Sequence, residues 1–211
     1  MTLETSKNLG GIGALLIVIG CLAMFGYGYA GLLGLIGIIL LLIGTKGMAD
    51  YYKESGVFNN ALYAFIVTIV GGVVAVAVFI MGLLSSLASL GVTDWTEWAM
   101  EIQQSATATD WTAVWDLIWP IVTAGVAALV VLFIALVVTA VLYRKSLVTL
   151  AQKSGVKMFE TAGLLMLIGA VLTIIIIGFL LIWIAFILIT VAFFSIRSAP
   201  PSEPSTPPAP S

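Results

Sequence analysis

The chain has 211 residues, of which 62% are hydrophobic and only 9% charged, where a soluble domain carries about 25% charged residues. A soluble globule of this length could not hide so much apolar surface beneath a polar cover. Disorder, a collagen-like rod and a disulfide scaffold are excluded too, which leaves a protein whose solvent is a bilayer. Eight Lys+Arg against ten Asp+Glu give a net charge of −2, which excludes a generally basic nucleic-acid binder. There is no histidine, so the commonest general base and the commonest neutral metal ligand are missing. A lone cysteine, Cys21, allows neither an intrachain disulfide nor a thiolate zinc cluster. No catalytic residues, metal site or cofactor are expected.

A spanning helix needs about 20 apolar residues. The first such run extends from Leu9 to about Phe25, and Gly26-Tyr27-Gly28-Tyr29 reads as a turn. Within this run Val18-Ile19-Gly20-Cys21 looks like a lipoprotein cleavage box, but the apolar residues after it favour Cys21 as a small buried side chain. The second run covers Ala30 to Gly44, the third Ala61 to Leu87, and the fourth Leu117 to Leu142. Asn59 and Asn60 stand where they could cap the third helix. Pro120 falls near the start of the fourth, where it is tolerated in a first turn or kinks the helix.

The last run, Thr161 to Ile196, would be roughly 54 Å long as one helix at ~1.5 Å per residue, far beyond a ~30 Å hydrocarbon core. Tilt cannot absorb that mismatch, so the run is divided near Gly178-Phe179 into two short spans. Six spans with an inner N-terminus place all eight basic residues (Lys7, Lys46, Lys53, Arg144, Lys145, Lys153, Lys157 and Arg197) on one side. The opposite loop, residues 91–114, carries Asp94, Glu97, Glu101 and Asp110 and no basic residue, in accord with the positive-inside rule. The predicted fold is therefore an all-α polytopic transmembrane helical bundle with six spans, residues 1–196, and both termini cytoplasmic. Five spans with a long last helix is the alternative.

In the outer loop, Asp94-Trp95-Thr96-Glu97 has capping-box spacing and predicts a short helix through about Gln103. Trp95 and Trp98 fall on its apolar side, and Trp111, Trp115 and Trp119 follow at helical spacing. These five tryptophans read as a membrane-interface belt, in preference to an aromatic ligand platform. On the inner side Asp50, Tyr51, Tyr52, Lys53 and Glu54 form the most distinctive loop. It is a candidate interaction element, although an anchored interfacial turn is the simpler reading. Ser55-Gly56-Val57 recurs as Ser154-Gly155-Val156, a hint of parallel internal repetition. Residues 197–211 hold six of the seven prolines and two P-x-x-P spacings, and read as a solvated tail or a docking ligand.

Inside the spans the polar residues are almost all hydroxyls, led by Thr68, Thr123, Thr139, Thr173 and Thr190. No carboxylate or base falls near a midplane, which argues against ion-coupled transport and intramembrane proteolysis. The pairs Gly13/Gly20, Gly37/Gly44 and Gly71/Ala75 place small residues on shared helix faces, suited to close helix packing.

Several segments together resemble a known family: Leu9-Gly10-Gly11-Ile12-Gly13, Ala49-Asp50-Tyr51-Tyr52-Lys53-Glu54 with Phe58-Asn59-Asn60-Ala61, Lys153-Ser154-Gly155-Val156 with Thr161-Ala162-Gly163, and Ala192-Phe193-Phe194-Ser195-Ile196. They are similar to the archaeal membrane proteins catalogued as domain of unknown function 996. The resemblance runs from about position 8 to 197 and leaves out the proline-rich tail. It implies a multi-pass protein of an archaeal plasma membrane and supplies no activity.

Two function classes follow. The first is a non-enzymatic structural or interaction protein, with membrane lipids, a protein at the inner loops or tail, or a second copy of the chain as partners. The second is a channel or facilitator for a small neutral or lipid-like solute. The orientation is testable by single cysteines at Ser105 and Ser205, which should be labelled from opposite sides of the membrane; labelling of both from outside would overturn the six-span topology.

Overall fold

The computed structural model describes residues 2–23, 30–89, 95–108 and 111–197. The turn expected at 26–29, the cap Asp94 and the tail from 198 onward lie outside the described residues. Among the described residues seven α-helices follow in order: α1 (Leu3–Ala23), α2 (Ala30–Tyr51), α3 (Ser55–Ser89), α4 (Trp95–Thr107), α5 (Trp111–Ser154), α6 (Met158–Leu172) and α7 (Ile177–Phe194). Among the described residues six of them, all but α4, are long and apolar enough to cross a membrane. Isoleucine, leucine and valine side chains stand outward along these helices, with Val73 at 64% and Leu129 at 64% exposure. Acyl chains are the cover such surfaces require.

The helices outrun the apolar segments that predict them. α3 begins at Ser55, so Asn59 and Asn60 sit a turn inside it instead of capping it. α5 has 44 residues and starts at Trp111, so Pro120 lies in its interior, beyond the first turn. Thr123 Oγ1 donates to the Pro120 carbonyl at 3.0 Å. The C-terminal extension of α5 is amphipathic: Ser146, Leu147, Leu150 and Ala151 are buried, while Lys145, Gln152 and Lys153 are exposed.

The chain divides into two compact units. One comprises Met1–Leu62 with Val141–Ser211, the other Tyr63–Ala140. In the first, α1 and α2 lie antiparallel with their backbones in contact. A Cβ on Gly37 would meet the Gly13 carbonyl oxygen at 2.7 Å, and one on Gly44 would run into the backbone of Gly10. α7 then closes on α1. The rings of Phe193 and Phe194 occupy the space over Gly10 and Gly11, and Trp183 Nε1 donates to the Val18 carbonyl at 3.2 Å. Phe193 also meets Phe159 of α6 edge-to-face, with centroids 5.0 Å apart, and both rings are fully buried. Cys21 is exposed, which corrects the expectation that it is buried: it faces outward from α1.

α6 and α7 are separate helices, which excludes the single long last helix. The break comes at a 3₁₀ turn over Thr173–Ile175 followed by Ile176 at φ 66°, a strained position for a β-branched residue. It therefore precedes the expected Gly178-Phe179 site by two residues. Gly178 is needed for something else: a Cβ there would collide with the Gly169 carbonyl, Thr173 N and the Leu172 carbonyl carbon. The glycine lets the returning helix close, and the turn itself is left to isoleucine. Its polar groups are satisfied internally, by Ile176 N to Thr173 O at 3.0 Å and Phe179 N to Ile176 O at 3.1 Å, and by Thr173 Oγ1 to Gly169 O at 2.9 Å.

The second unit pairs the remaining parts of α3 and α5. Thr68 and Thr139 hydroxyls meet at 3.1 Å, Gly71 receives Ala135, and Gly82 receives Ala124. Gly71 and Ala75 serve as predicted, with Ala75 2% exposed.

The α6–α7 turn carries no charge, yet Ile174 is 72% and Ile176 77% exposed. With α6 and α7 each crossing, this apolar tip comes to the membrane boundary on the side opposite residues 197–211. In a Cys21→Ala background, cysteines at Ile175 and Ser205 should be reached by a membrane-impermeant maleimide from opposite sides. Labelling of both from the same side would contradict two crossings by α6 and α7.

Candidate functional site

The tryptophans do not act alike. α4 begins at Trp95, whose side chain lies outside the described residues. Trp98 is 7% exposed and packs with Leu87 of α3 and Leu117 of α5. Its Nε1 donates to the Leu117 carbonyl at 3.1 Å. Trp98 thus pins α4 to the ends of two spanning helices. Trp111, Trp115 and Trp119 point outward from α5 at 66%, 55% and 50% exposure, and the rings of Trp115 and Trp119 lie 5.5 Å apart. The i, i+4 spacing brings these rings to one face, as the pattern predicts.

The loop between α2 and α3 is a tight hydrogen-bonded turn. Asp50 and Tyr51 close α2. Tyr52 N then bonds Met48 O at 2.9 Å, Lys53 N bonds Asp50 O at 3.3 Å and Glu54 N bonds Ala49 O at 2.8 Å. Lys53 takes φ 52°, a left-handed conformation in which a non-glycine residue is uncommon. Tyr51 and Tyr52 meet edge-to-face at 5.1 Å. Burial pushes the Tyr52 phenol above its ordinary pKa, and the neighbouring Tyr51 adds to the rise. Glu54 pairs with Lys153 at 3.2 Å, and the buried hydroxyl of Ser146 donates to the Val57 carbonyl. The loop is thereby tied to the end of α5.

The repeated tripeptide is not a structural repeat. Ser55-Gly56-Val57 opens α3, whereas Ser154 ends α5 and Gly155 turns left-handed at φ 74°. In the first loop the left-handed residue is Lys53, ahead of the tripeptide.

The sequence reading passed over a groove in the first unit. Residues 141, 144, 145, 148, 149 and 152 of α5 share one helical stripe, flanked by Asn60 of α3 and Leu167 of α6, around a space of about 480 Å³. The stripe changes along its length from Val141 to the cations Arg144 and Lys145, then to Thr149 and Gln152. Arg144 is held by its aliphatic stem, since a Cβ on Gly163 of α6 would come within 3.2 Å of its Cγ and 3.3 Å of its Cα. Among the described residues Lys7 pairs with Glu4 at 2.9 Å and Lys153 with Glu54 at 3.2 Å, and neither pair involves Arg144 or Lys145. The i, i+3, i+4 recurrence beyond Leu142 was the signal that could have revealed this face.

A family model described as a protein of unknown function (DUF996) matches residues 33–187. The chain belongs to the DUF996 family. An uncharacterized protein of Methanocaldococcus jannaschii is 27% identical to it over 182 residues, covering 86% of each chain. No solved structure matches. The DUF996 match spans α2 through most of α7, and so contains the α2–α3 loop, the tryptophan cluster and the groove.

Trp98→Ala should cost about 3–5 kcal/mol and open the 95–107 segment to an externally added protease. Trp115→Ala, which removes an exposed ring, should leave both thermal midpoint and cleavage nearly unchanged. Equal effects at the two positions would contradict a pinning role for Trp98.

Proposed function

We propose that this DUF996 protein is a non-enzymatic structural or interaction protein of the plasma membrane, with both termini cytoplasmic. It acts on lipid or a protein partner through its basic inner end. The Methanocaldococcus relative supports an archaeal setting. The observation that carries the reading is the disposition of the hydroxyls within the spans. Thr68 bonds Ala64 O at 2.9 Å, and Thr139 reaches the same carbonyl at 3.4 Å. Thr123 bonds Pro120 O, Thr173 bonds Gly169 O and Thr190 bonds Phe186 O at 2.9 Å. A threonine hydroxyl bonded to a helix carbonyl serves the helix. A solute path would need such groups turned toward water, so this arrangement favours packing over conduction.

The reading is tested in proteoliposomes by stopped-flow swelling with glycerol and urea. Rates should equal those of empty vesicles, while crosslinking in native membranes with lipids retained should recover a defined lipid or protein partner. Accelerated swelling would replace this reading with that of a facilitator.

A further inference from the structure

The groove on α5 has the chemical order of a phospholipid. Val141 stands at the end of the apolar run and Leu167 faces it from α6, where an acyl chain would leave. Arg144 and Lys145 come next, directly past the end of the apolar run of α5. Beyond them are Thr149 and the uncharged donor of Gln152, suited to the outer part of a headgroup, while Asn60 flanks the cations from α3. The space of about 480 Å³ falls in the range of small-molecule sites, roughly 300–1,000 Å³.

Charge points the same way. Lys7 and Lys153 have carboxylate partners, at 2.9 and 3.2 Å, and no such pair is made by Arg144 or Lys145 among the described residues. Arg144 is only partly exposed. Its stem lies on the bare backbone of Gly163, which limits where the guanidinium can go. A guanidinium presents its donors in a planar fork that fits phosphate oxygens, and an adjacent ammonium adds a point charge. Basic recesses between spanning helices are suited to anionic headgroups.

We propose that this groove seats the headgroup of an anionic phospholipid, its phosphate held between Arg144 and Lys145 and its chain leaving along Val141 and Leu167. The proposal deepens the reading of a lipid-engaging membrane protein and rests on it. Lipid retention and solute flux are nevertheless separate measurements, so either can fail without the other.

The test uses the full chain, purified in neutral detergent and examined by native mass spectrometry after titration with phosphatidylglycerol or phosphatidylcholine. Wild type should retain phosphatidylglycerol preferentially. Arg144→Gln with Lys145→Gln should reduce that retention at least about tenfold. The conservative pair Arg144→Lys with Lys145→Arg should keep most of it, and Lys46→Gln with Lys157→Gln, which removes equal charge outside the groove, should keep all of it. Gel filtration and thermal unfolding establish that each variant is folded; if the glutamine pair does not fold, Gly163→Leu, which would displace the Arg144 stem, supplies the loss-of-binding variant. Equal retention of the two lipids, or equal loss on removing Lys46 and Lys157, would overturn the site. Displacement of the lipid by millimolar inorganic phosphate would assign the cations to a soluble anion and overturn the lipid as occupant.

Discussion

Contact between glycine backbones is the constraint on which the first unit depends. Lipid tails are as apolar as leucine, so turning a leucine inward gains little, and helices cohere by dispersion at short range. Gly13 against Gly37 and Gly10 against Gly44 bring α1 and α2 together until no Cβ would fit. Gly10 and Gly11 also give Phe193 and Phe194 their seats, so one glycine run serves two partners. At the other hairpin Gly169 and Gly178 do the same work. A methyl group at any of these positions would separate two helices along much of their length. That explains how a chain with so few polar cross-links can hold a defined arrangement.

Much of this was legible in the sequence, because lipid imposes simple rules. Apolar runs of sufficient length became helices, the charge-poor 36-residue stretch from 161 to 196 became two of them, and the glycine pairs at 37/44 and 71/75 fell on packed faces. What failed to show was the fate of the helix ends. Hydropathy stops at Leu142 because Tyr143, Arg144 and Lys145 follow, yet α5 continues to Ser154. Its extension is held by protein contacts, at Leu147, Leu150 and Ala151, which follow a helical period that no count of apolar residues detects. The same blindness hid the α3 start at Ser55 and the groove that the extension lines.

The two kinds of aromatic residue around α4 and the start of α5 illustrate a second limit. Trp98 and Trp115 are equally tryptophan in a periodicity argument, and both fit an interfacial belt. They part company because α4 is short and mostly polar, and so cannot bury itself. It is retained by a large ring inserted beside Leu87 and Leu117, with Ile102 packed against them and the indole N–H on the Leu117 carbonyl. Position along a helix sets the face, but only the neighbour decides whether that face is covered by protein or by lipid.

The turns show how local strain is tolerated when both sides are tightly held. Lys53 and Ile176 occupy left-handed conformations that cost roughly 1–3 kcal/mol each, and a glycine at either would relieve them. Each lies beside a close-packed partner. Lys53 is bracketed by hydrogen bonds from Tyr52, from its own amide and from Glu54, and Ile176 by the contact of Gly178 with Gly169. In the α6–α7 hairpin the glycines are placed where two backbones must touch, and a bulkier residue carries the bend. At the α6–α7 turn this has a further consequence. The isoleucine side chain shields the reversing backbone, whose Ile176 and Phe179 amides are bonded within the turn, whereas a glycine there would bare the reversing carbonyls.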